Sequence, residues 1–490
     1  MILGLSAGFH DAGATLVNND GDILFAGHAE RYSGIKNDAN LNAALLEDAC
    51  SYGKPTSIAW YENHWRKRTR QIYSGEWRKA LDFSTTPQAL CSKHNLRAPI
   101  TSYGHHRCHA AAGFQTSPFE RCKVLVVDAI GEWDTVSVWD AWYDDDGYAQ
   151  YKKIWSQRYP HSIGLYYSAV THYVGLKPME DEYILMGMAA YGKGYLTAYE
   201  ENLKLWSDDR NIKLVDNLHT GIDEEWFSGT GLNEYDIAAG AQKVVEKLLI
   251  QLVQRWCGYD ENLVFMGGVA LNCVANSQMR FYCNDLWIMP NPGDCGSSLG
   301  AAALQYGKKL NWQGPYLGHD MGNEYPIDEL LGELQTNKIV GVATGRAEFG
   351  PRALGTRSLL ADPRGNDIKD RVNEIKRRQK FRPFAPMVLE EHASRYFDMH
   401  REINPYMQGT YKCLAPELFP AIVHADNTSR VQTVGRNDHP GVRELLEKWY
   451  VLTDCPILLN TSLNIKGEPM VNNRADADRF EQRYGIKVCS

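Results

Sequence analysis

Nowhere in the chain do eighteen apolar residues run together, which argues against a membrane-spanning helix. The amino terminus, Met1 to Leu5, has no basic region and meets His10 and Asp11 too soon for a secretory signal, so the expected location is the cytoplasm, with no membrane partner. No C-x-x-C spacing occurs, and eleven cysteines, an odd number, read as reduced and mostly buried thiols rather than a disulfide frame or a zinc cage. Positive charge is not in excess either. A net charge of -8 gives no global attraction to nucleic acid or acidic membranes and leaves only local patches to provide one. Low-complexity tracts are missing, and apolar and charged fractions of 44% and 23% are those of ordinary folded proteins. The 490 residues suffice for two or three domains, each with its own core.

The patterning shows a repeat. Met1 to Val17 reads as strand, tight turn and strand, Asn18-Asn19-Asp20-Gly21 as a hairpin turn, and Asp22 to His28 as a third strand. The layout returns at Lys123 to Asp128, the strand Asp134 to Trp142 and the turn Asp144 to Gly147, which suggests an internal duplication. Apolar residues from Ile237 to Trp256 recur at helical spacing, and a buried-type strand, Asn262 to Met266, runs into Gly267-Gly268. Loop-forming residues follow Pro315 and a new strand begins at Lys338, so the domain boundary is set near residue 330, giving domains 1–330 and 331–490. Duplicated strand meanders with glycine pairs point to an α/β chain whose first domain is actin-like, two related halves gripping a nucleotide.

Several clusters could carry chemistry. His105 and His109, at the start of an expected helix, share one face, a spacing that serves metal ligation or simple packing. Asp128 ends an apolar strand and Asp294 sits in a Gly/Pro turn; each is either a capping residue or a carboxylate aimed into a shared cleft. Two imidazoles with two carboxylates suit iron, manganese or zinc. Gly267, Gly268 and Asn272 would let a ribose or phosphate approach bare backbone, or merely end a strand. His10 sits in the first turn, as a general base, a phosphate holder or an inert turn residue. Arg346, Glu348, Arg352, Arg357, Lys376, Arg382, Arg430, Asn460 and Ser462 set cations among Gly, Pro and Phe, a pattern suited to phosphate or carboxylate, although Lys376 to Arg378 also fits a solvated helix face.

Ordered motifs then carry a family resemblance over nearly the whole chain: LGLSAGFHDAGATLV, HHRCHAAAGF, VVDAIGE, SIGLYYSAVTHYVGL, ILMGMAAYG, FMGGVALNCVAN, NPGDCGSSLGAA, GRAEFGPRALGTRSLLADPR, KFRPFAPMVL, SRVQTV and LLNTSLNIKGEP. The sequence resembles the O-carbamoyltransferases of nodulation and antibiotic biosynthesis, with a Kae1-like first domain and a YrdC-like second domain. The resemblance implies that the second domain makes carbamoyl-adenylate from ATP (as Mg-ATP) and carbamoyl phosphate, and that the first passes the carbamoyl group to a hydroxyl-bearing acceptor. It implies that His105, His109, Asp128 and Asp294 hold a divalent metal, Fe2+ ahead of Mn2+ or Zn2+, and that His10 assists transfer. It implies that Gly267, Gly268 and Asn272 hold nucleotide, and that Arg352, Lys376, Arg382, Arg430, Asn460 and Ser462 hold carbamoyl phosphate and ATP. Ala129 stands where the family pattern has glycine, and Lys380-Phe381 also departs from it.

The acceptor is less defined. Trp65, Arg66, Arg68 and Arg70, followed by Tyr73, Trp77, Arg78 and Lys79, interleave aromatic and basic residues as single-stranded or flipped-base nucleic-acid sites do, or form an amphipathic helix with a solvated basic face. A hydroxymethylpyrimidine, in DNA or as a nucleotide, and a sugar or small-metabolite hydroxyl are the acceptors this leaves.

Overall fold

A computed structural model describes residues 1–399 and 403–490. The chain forms two compact units, one of Met1–Ala29 with Ala39–Trp312 and one of Glu30–Asp38 with Gln313–Ser490.

The first unit is built on two five-stranded sheets of one topology. In the first sheet, strands β1 (Ile2–Ser6), β2 (Gly13–Val17) and β3 (Ile23–His28) form an antiparallel meander, and β4 (Ser57–Trp60) and β5 (Ile100–Ser102) add parallel to β1, giving the order β3-β2-β1-β4-β5. In the second sheet, β6 (Arg121–Gly131), β7 (Asp134–Tyr143) and β8 (Ala149–Arg158) repeat the meander, with the strands Leu263–Met266 and Leu286–Trp287 parallel to β6. The matching hairpins are made the same way. Asn18 Oδ1 accepts the N–H groups of Asp20 and Asp22, and Asp144 Oδ1 accepts those of Asp146 and Tyr148, so one short polar side chain closes each turn locally. The duplication read from the sequence is thus present in the strand order and in its turn chemistry.

A helix lies on each sheet. Ser297–Tyr306 packs on β1, β2 and β4, His105–Phe114 packs on β6 and Leu263–Met266, and the two helices pack on each other. Their contact is close because Gly300 faces Cys108; a Cβ there would come 1.8 Å from the Cys108 carbonyl oxygen.

The second unit has a six-stranded mixed sheet in the order Gln432–Val434, Ala385–Leu389, Ile457–Ser462, Arg357–Ala361, Ile339–Ala343 and Val488–Cys489. Alternation along each strand feeds two cores. Leu359, Val388, Ile457 and Leu459 point into one, and Leu360, Met387 and Leu458 into the other, where Trp449 of the helix Pro440–Thr453 is fully buried. All eleven cysteines carry free thiols and only Cys50 is not buried, in line with the reduced reading. Among the described residues no helix is long and apolar enough to cross a membrane.

Gly300→Ala is expected to force the two central helices of the first unit apart, at a cost of about 1–3 kcal/mol. A fall in the urea midpoint at unchanged slope would register it; an unchanged midpoint would mean that the helices yield freely.

Candidate metal and anion sites

Two helix residues, a strand carboxylate and a turn carboxylate meet in the first unit. The helix His105–Phe114 puts His105 and His109 one turn apart on one face, with both imidazoles buried. Asp128 comes from β6, where its Oδ1 accepts its neighbour's N–H (Ala129) and its Oδ2 turns to the histidines. Asp294 leads the turn before Ser297–Tyr306, and the carbonyl of Pro292 in that turn accepts the N–H of Gly267. His105 Nε2 lies 3.3 Å from Asp128 Oδ2 and 3.3 Å from Asp294 Oδ1; His109 Nε2 lies 3.1 Å and 3.3 Å from the same oxygens. The two Nε2 atoms are 3.1 Å apart.

Four lone-pair atoms crowd together here, away from water, an arrangement that a cation makes favourable. Ligands about 2.0–2.1 Å from one centre stand about 3.3 Å apart in a tetrahedron, so the spacing fits a divalent metal, and imidazole with carboxylate suits iron, manganese or zinc. Burial opposes ionisation of both carboxylates, yet the facing imidazoles hold Asp128 and Asp294 below the ordinary range. Burial likewise disfavours charged imidazoles, but the carboxylates outweigh it and raise His105 and His109.

Residues that the sequence reading gave no role hold this arrangement. Glu132 Oε1 accepts the backbone N–H of His105 at 3.1 Å and that of Asn63 at 2.6 Å, so one buried carboxylate ties together the starts of two helices, His105–Phe114 and His64–Tyr73. Ser162 Oγ donates to the carbonyls of Asp128 and Ala129 and caps the next helix, Ile163–Tyr173. Gly131 admits the imidazoles; a Cβ there would lie 2.5 Å from His105 Cδ2 and 2.4 Å from His106 Cδ2. Glu132 has a positive φ of 61°, so an acid just after a strand-ending glycine was the available signal.

His10 bonds Asp11 at 3.1 Å. Burial lowers its pKa, but Asp11 together with the fields of Asp294 and Asp128 pushes it up to about 9. Gly267 has φ +93° and its Cα faces the Val127 carbonyl, where a Cβ would come within 2.2 Å; a Cβ on Gly268 would lie 3.2 Å from Asp128 Oδ1. Asn272 is exchanged with Gln242 in a reciprocal amide pair at 2.9 and 3.1 Å and caps Cys273–Met279. In the basic segment, Trp65 is 67% exposed, whereas Arg68 and Arg70 are buried. Arg68 donates to the Asp82 carbonyl and stacks on Phe83, Arg70 pairs with Glu76, and Arg66 pairs with Glu132 at 3.3 Å. A solvated basic face therefore does not describe this helix.

The second unit brings together a different set. Lys376 is buried, and its ammonium donates to Ser462 (carbonyl and hydroxyl) and to Asn464 (carbonyl and side-chain oxygen), all neutral acceptors. Burial, with Arg378 and Arg382 nearby, drives its pKa well below the ordinary lysine value. This cation wants an anion, and the solvated-face alternative fails for it. Asn460, two residues before Ser462 on the same strand, donates to the Ala353 carbonyl next to Arg352 and to Gln432, two residues after Arg430; its own Oδ1 is buried without a partner among the described residues. Arg357 is used differently. It is fully buried and donates to the carbonyls of Thr344, Gly345, Thr356, His319 and Asn472, a clamp on backbone. Glu348 Oε1 shapes the loop before it by accepting the N–H groups of Leu354, Thr356 and Arg357.

With this geometry in hand, family models of the carbamoyltransferase N-terminus and the carbamoyltransferase C-terminus match residues 61–303 and 332–489. This chain belongs to the carbamoyltransferase family. An uncharacterized Synechocystis protein is 34% identical across 98% of this carbamoyltransferase and 94% of its own length. Nodulation protein NolO of Bradyrhizobium diazoefficiens is 31% identical over 76% of this chain and 75% of that one. Among solved structures, component A of the (R)-2-hydroxyglutaryl-CoA dehydratase of Acidaminococcus fermentans aligns at 14% identity over 62% of this chain and 97% of that one, with a TM-score of 0.37, a remote likeness. As a member of its family the protein is a transferase enzyme, and its motifs span both units.

Two outcomes test the metal-site geometry. Gly131→Ala is expected to cut bound divalent metal, measured by elemental analysis, with the far-ultraviolet circular dichroism unchanged; full metal content in this variant would refute the crowding argument. In chelated protein the His10 ring should titrate near 9 by NMR. Adding zinc should move that titration down, since a cation on Asp128 and Asp294 cancels the field that raised it.

Proposed function

We propose that this carbamoyltransferase is an ATP-dependent O-carbamoyltransferase working in two steps. The observation that carries the reading is the convergence of His105, His109, Asp128 and Asp294 in a buried cluster of a chain of this family.

In the first step the second unit, read as YrdC-like, makes carbamoyl-adenylate. Water releases phosphate from carbamoyl phosphate, a carbamate oxygen attacks the α-phosphorus of ATP, and the bond to pyrophosphate breaks. Arg352, Lys376, Arg382 and Arg430 offset the phosphate charge, while Asn460 and Ser462 orient the carbamoyl amide and oxygens. The anion-seeking ammonium of Lys376 supports this half most directly. In the second step the first unit, read as actin-like, holds the adenylate, with Gly267 and Gly268 offering open backbone and Asn272 shaping that edge. An acceptor oxygen attacks the carbamoyl carbon, AMP leaves, and the acceptor proton passes toward His10. A divalent metal held by His105, His109, Asp128 and Asp294, iron ahead of manganese or zinc, would supply Lewis acidity for the carbonyl or the acceptor hydroxyl. A sugar or small-metabolite hydroxyl is the acceptor the geometry supports best, because Arg68 and Arg70, two cations of the segment, point inward, away from any phosphate backbone. A hydroxymethylpyrimidine acceptor, in DNA or free, is the second reading, on the exposed Trp65 and Trp77.

Incubation with ATP and carbamoyl phosphate should give pyrophosphate and carbamoyl-adenylate, which attack by water or an acceptor hydroxyl converts to AMP, whereas a kinase would give ADP and a scaffold neither. Lys376→Ala should reduce AMP formation about 100-fold or more with metal content intact, and His109→Ala should do the reverse, keeping adenylation and losing transfer. Because Lys376 has a depressed pKa, anion binding should take up a proton and weaken as pH rises, detectable by calorimetry in buffers of different ionisation enthalpy. Production of ADP in place of AMP would overturn the proposal.

A further inference from the structure

The stretch Glu30–Asp38 leaves the strands of the first unit and packs as part of the second. Its second residue is a buried arginine: Arg31 is only 7% exposed. Nη2 donates to the Gly350 carbonyl at 2.8 Å, at the head of the Gly350-Pro351-Arg352 turn, while Nε and Nη1 are buried with no hydrogen-bond partner among the described residues. The adjacent carboxylate does not satisfy it, because Glu30 is engaged by Lys36 at 2.8 Å and by the N–H of Asn37 at 2.9 Å. Tyr32, next along, lays its ring edge-on toward His319, which lines a cavity of about 460 Å³ with Asp320, Asn323 and Arg474.

A buried guanidinium with open donors is costly in a protein interior and is stabilised by an anion with matching acceptors. The other buried arginine of this region, Arg357, shows the contrast, since its nitrogens are met by backbone carbonyls. The two arginines bear on one loop, Arg31 through the Gly350 carbonyl at its head and Arg357 at its end, and the loop's N–H groups of Leu354, Thr356 and Arg357 already occupy the nearby Glu348 carboxylate oxygen. The guanidinium fork suits phosphate oxygens better than any neutral group.

We propose that Arg31 is a phosphate-binding residue of the second unit, supplied from the amino-terminal stretch of the chain, and that it grips a phosphate group of carbamoyl phosphate or of ATP. The proposal rests on the second unit being the adenylate-forming half. It adds a binding residue that lies far in sequence from the other candidates of the second unit.

Calorimetry on the full chain tests it in two arms, carbamoyl phosphate alone and the α,β-methylene analogue of ATP alone, with wild type, Arg31→Met and Arg31→Lys. Arg31→Met is expected to weaken one arm about tenfold or more and leave the other within about twofold, the weakened arm naming the phosphate held. Its ligand-free Tm should equal or exceed that of wild type, because a charge without partners has been removed. Arg31→Lys, which keeps charge and stem, should fold and bind with an intermediate loss of about three- to tenfold, since a point charge replaces a fork. Unchanged affinity in both arms for either folded variant would overturn the proposal, as would a lower ligand-free Tm with affinity preserved. Failure of the wild-type protein to bind either probe would instead count against the adenylate-forming reading itself.

Discussion

Charge taken out of water has to be met by charge, and the first unit is arranged around that requirement. Asp128 reaches the interior from a strand and Asp294 from a turn, and neither would be tolerated there without His105 and His109 opposite. The imidazoles in turn reach them only because the helix carrying them sits very close to its neighbours: Gly300 lets one helix approach, Gly131 gives the rings room, and Glu132 fixes where the helix begins. The duplicated sheets supply the frame, since each repeat ends a strand where one of these groups must emerge.

The second unit solves the opposite problem. Arg443 is paired with Glu391 and Glu447, but three other buried cations of this unit have no acid bonded to them. Arg357 is surrounded by backbone carbonyls, which makes it part of the scaffold, whereas Lys376 is held by Ser462 and Asn464 and Arg31 by the Gly350 carbonyl alone. Arginine thus serves as structure where its donors are met, as in Arg357, or stays open for recognition where they are not, as in Arg31. Glu348 keeps the loop between them in shape by taking three backbone N–H groups on one oxygen.

Much of this was legible in the sequence, and the reasons differ by feature. Strands closed by Asn18 and Asp144 are local events, so the repeat could be read from alternation and turn residues. The i, i+4 pair of histidines was visible as a spacing, but packing and ligation look alike until Asp128 and Asp294, distant in sequence, arrive beside them. Glu132, Ser162 and Arg31 escaped notice because their importance lies in which backbone groups they meet, and nothing in their neighbours announces that. The basic helix misled in the other direction. Arg68 and Arg70 alternate with aromatics as surface residues do, yet a glutamate, a carbonyl and a phenyl ring close by draw them inward.

The stretch Glu30–Asp38 bears on how such a protein can change over generations. Part of the interior of the second half is encoded near the start of the first. A gene broken between the halves would leave the later product missing a piece of itself, and an exchange of carboxy-terminal halves between relatives would pair each with another protein's tether. The two halves must therefore be inherited and altered together, as a single reading frame.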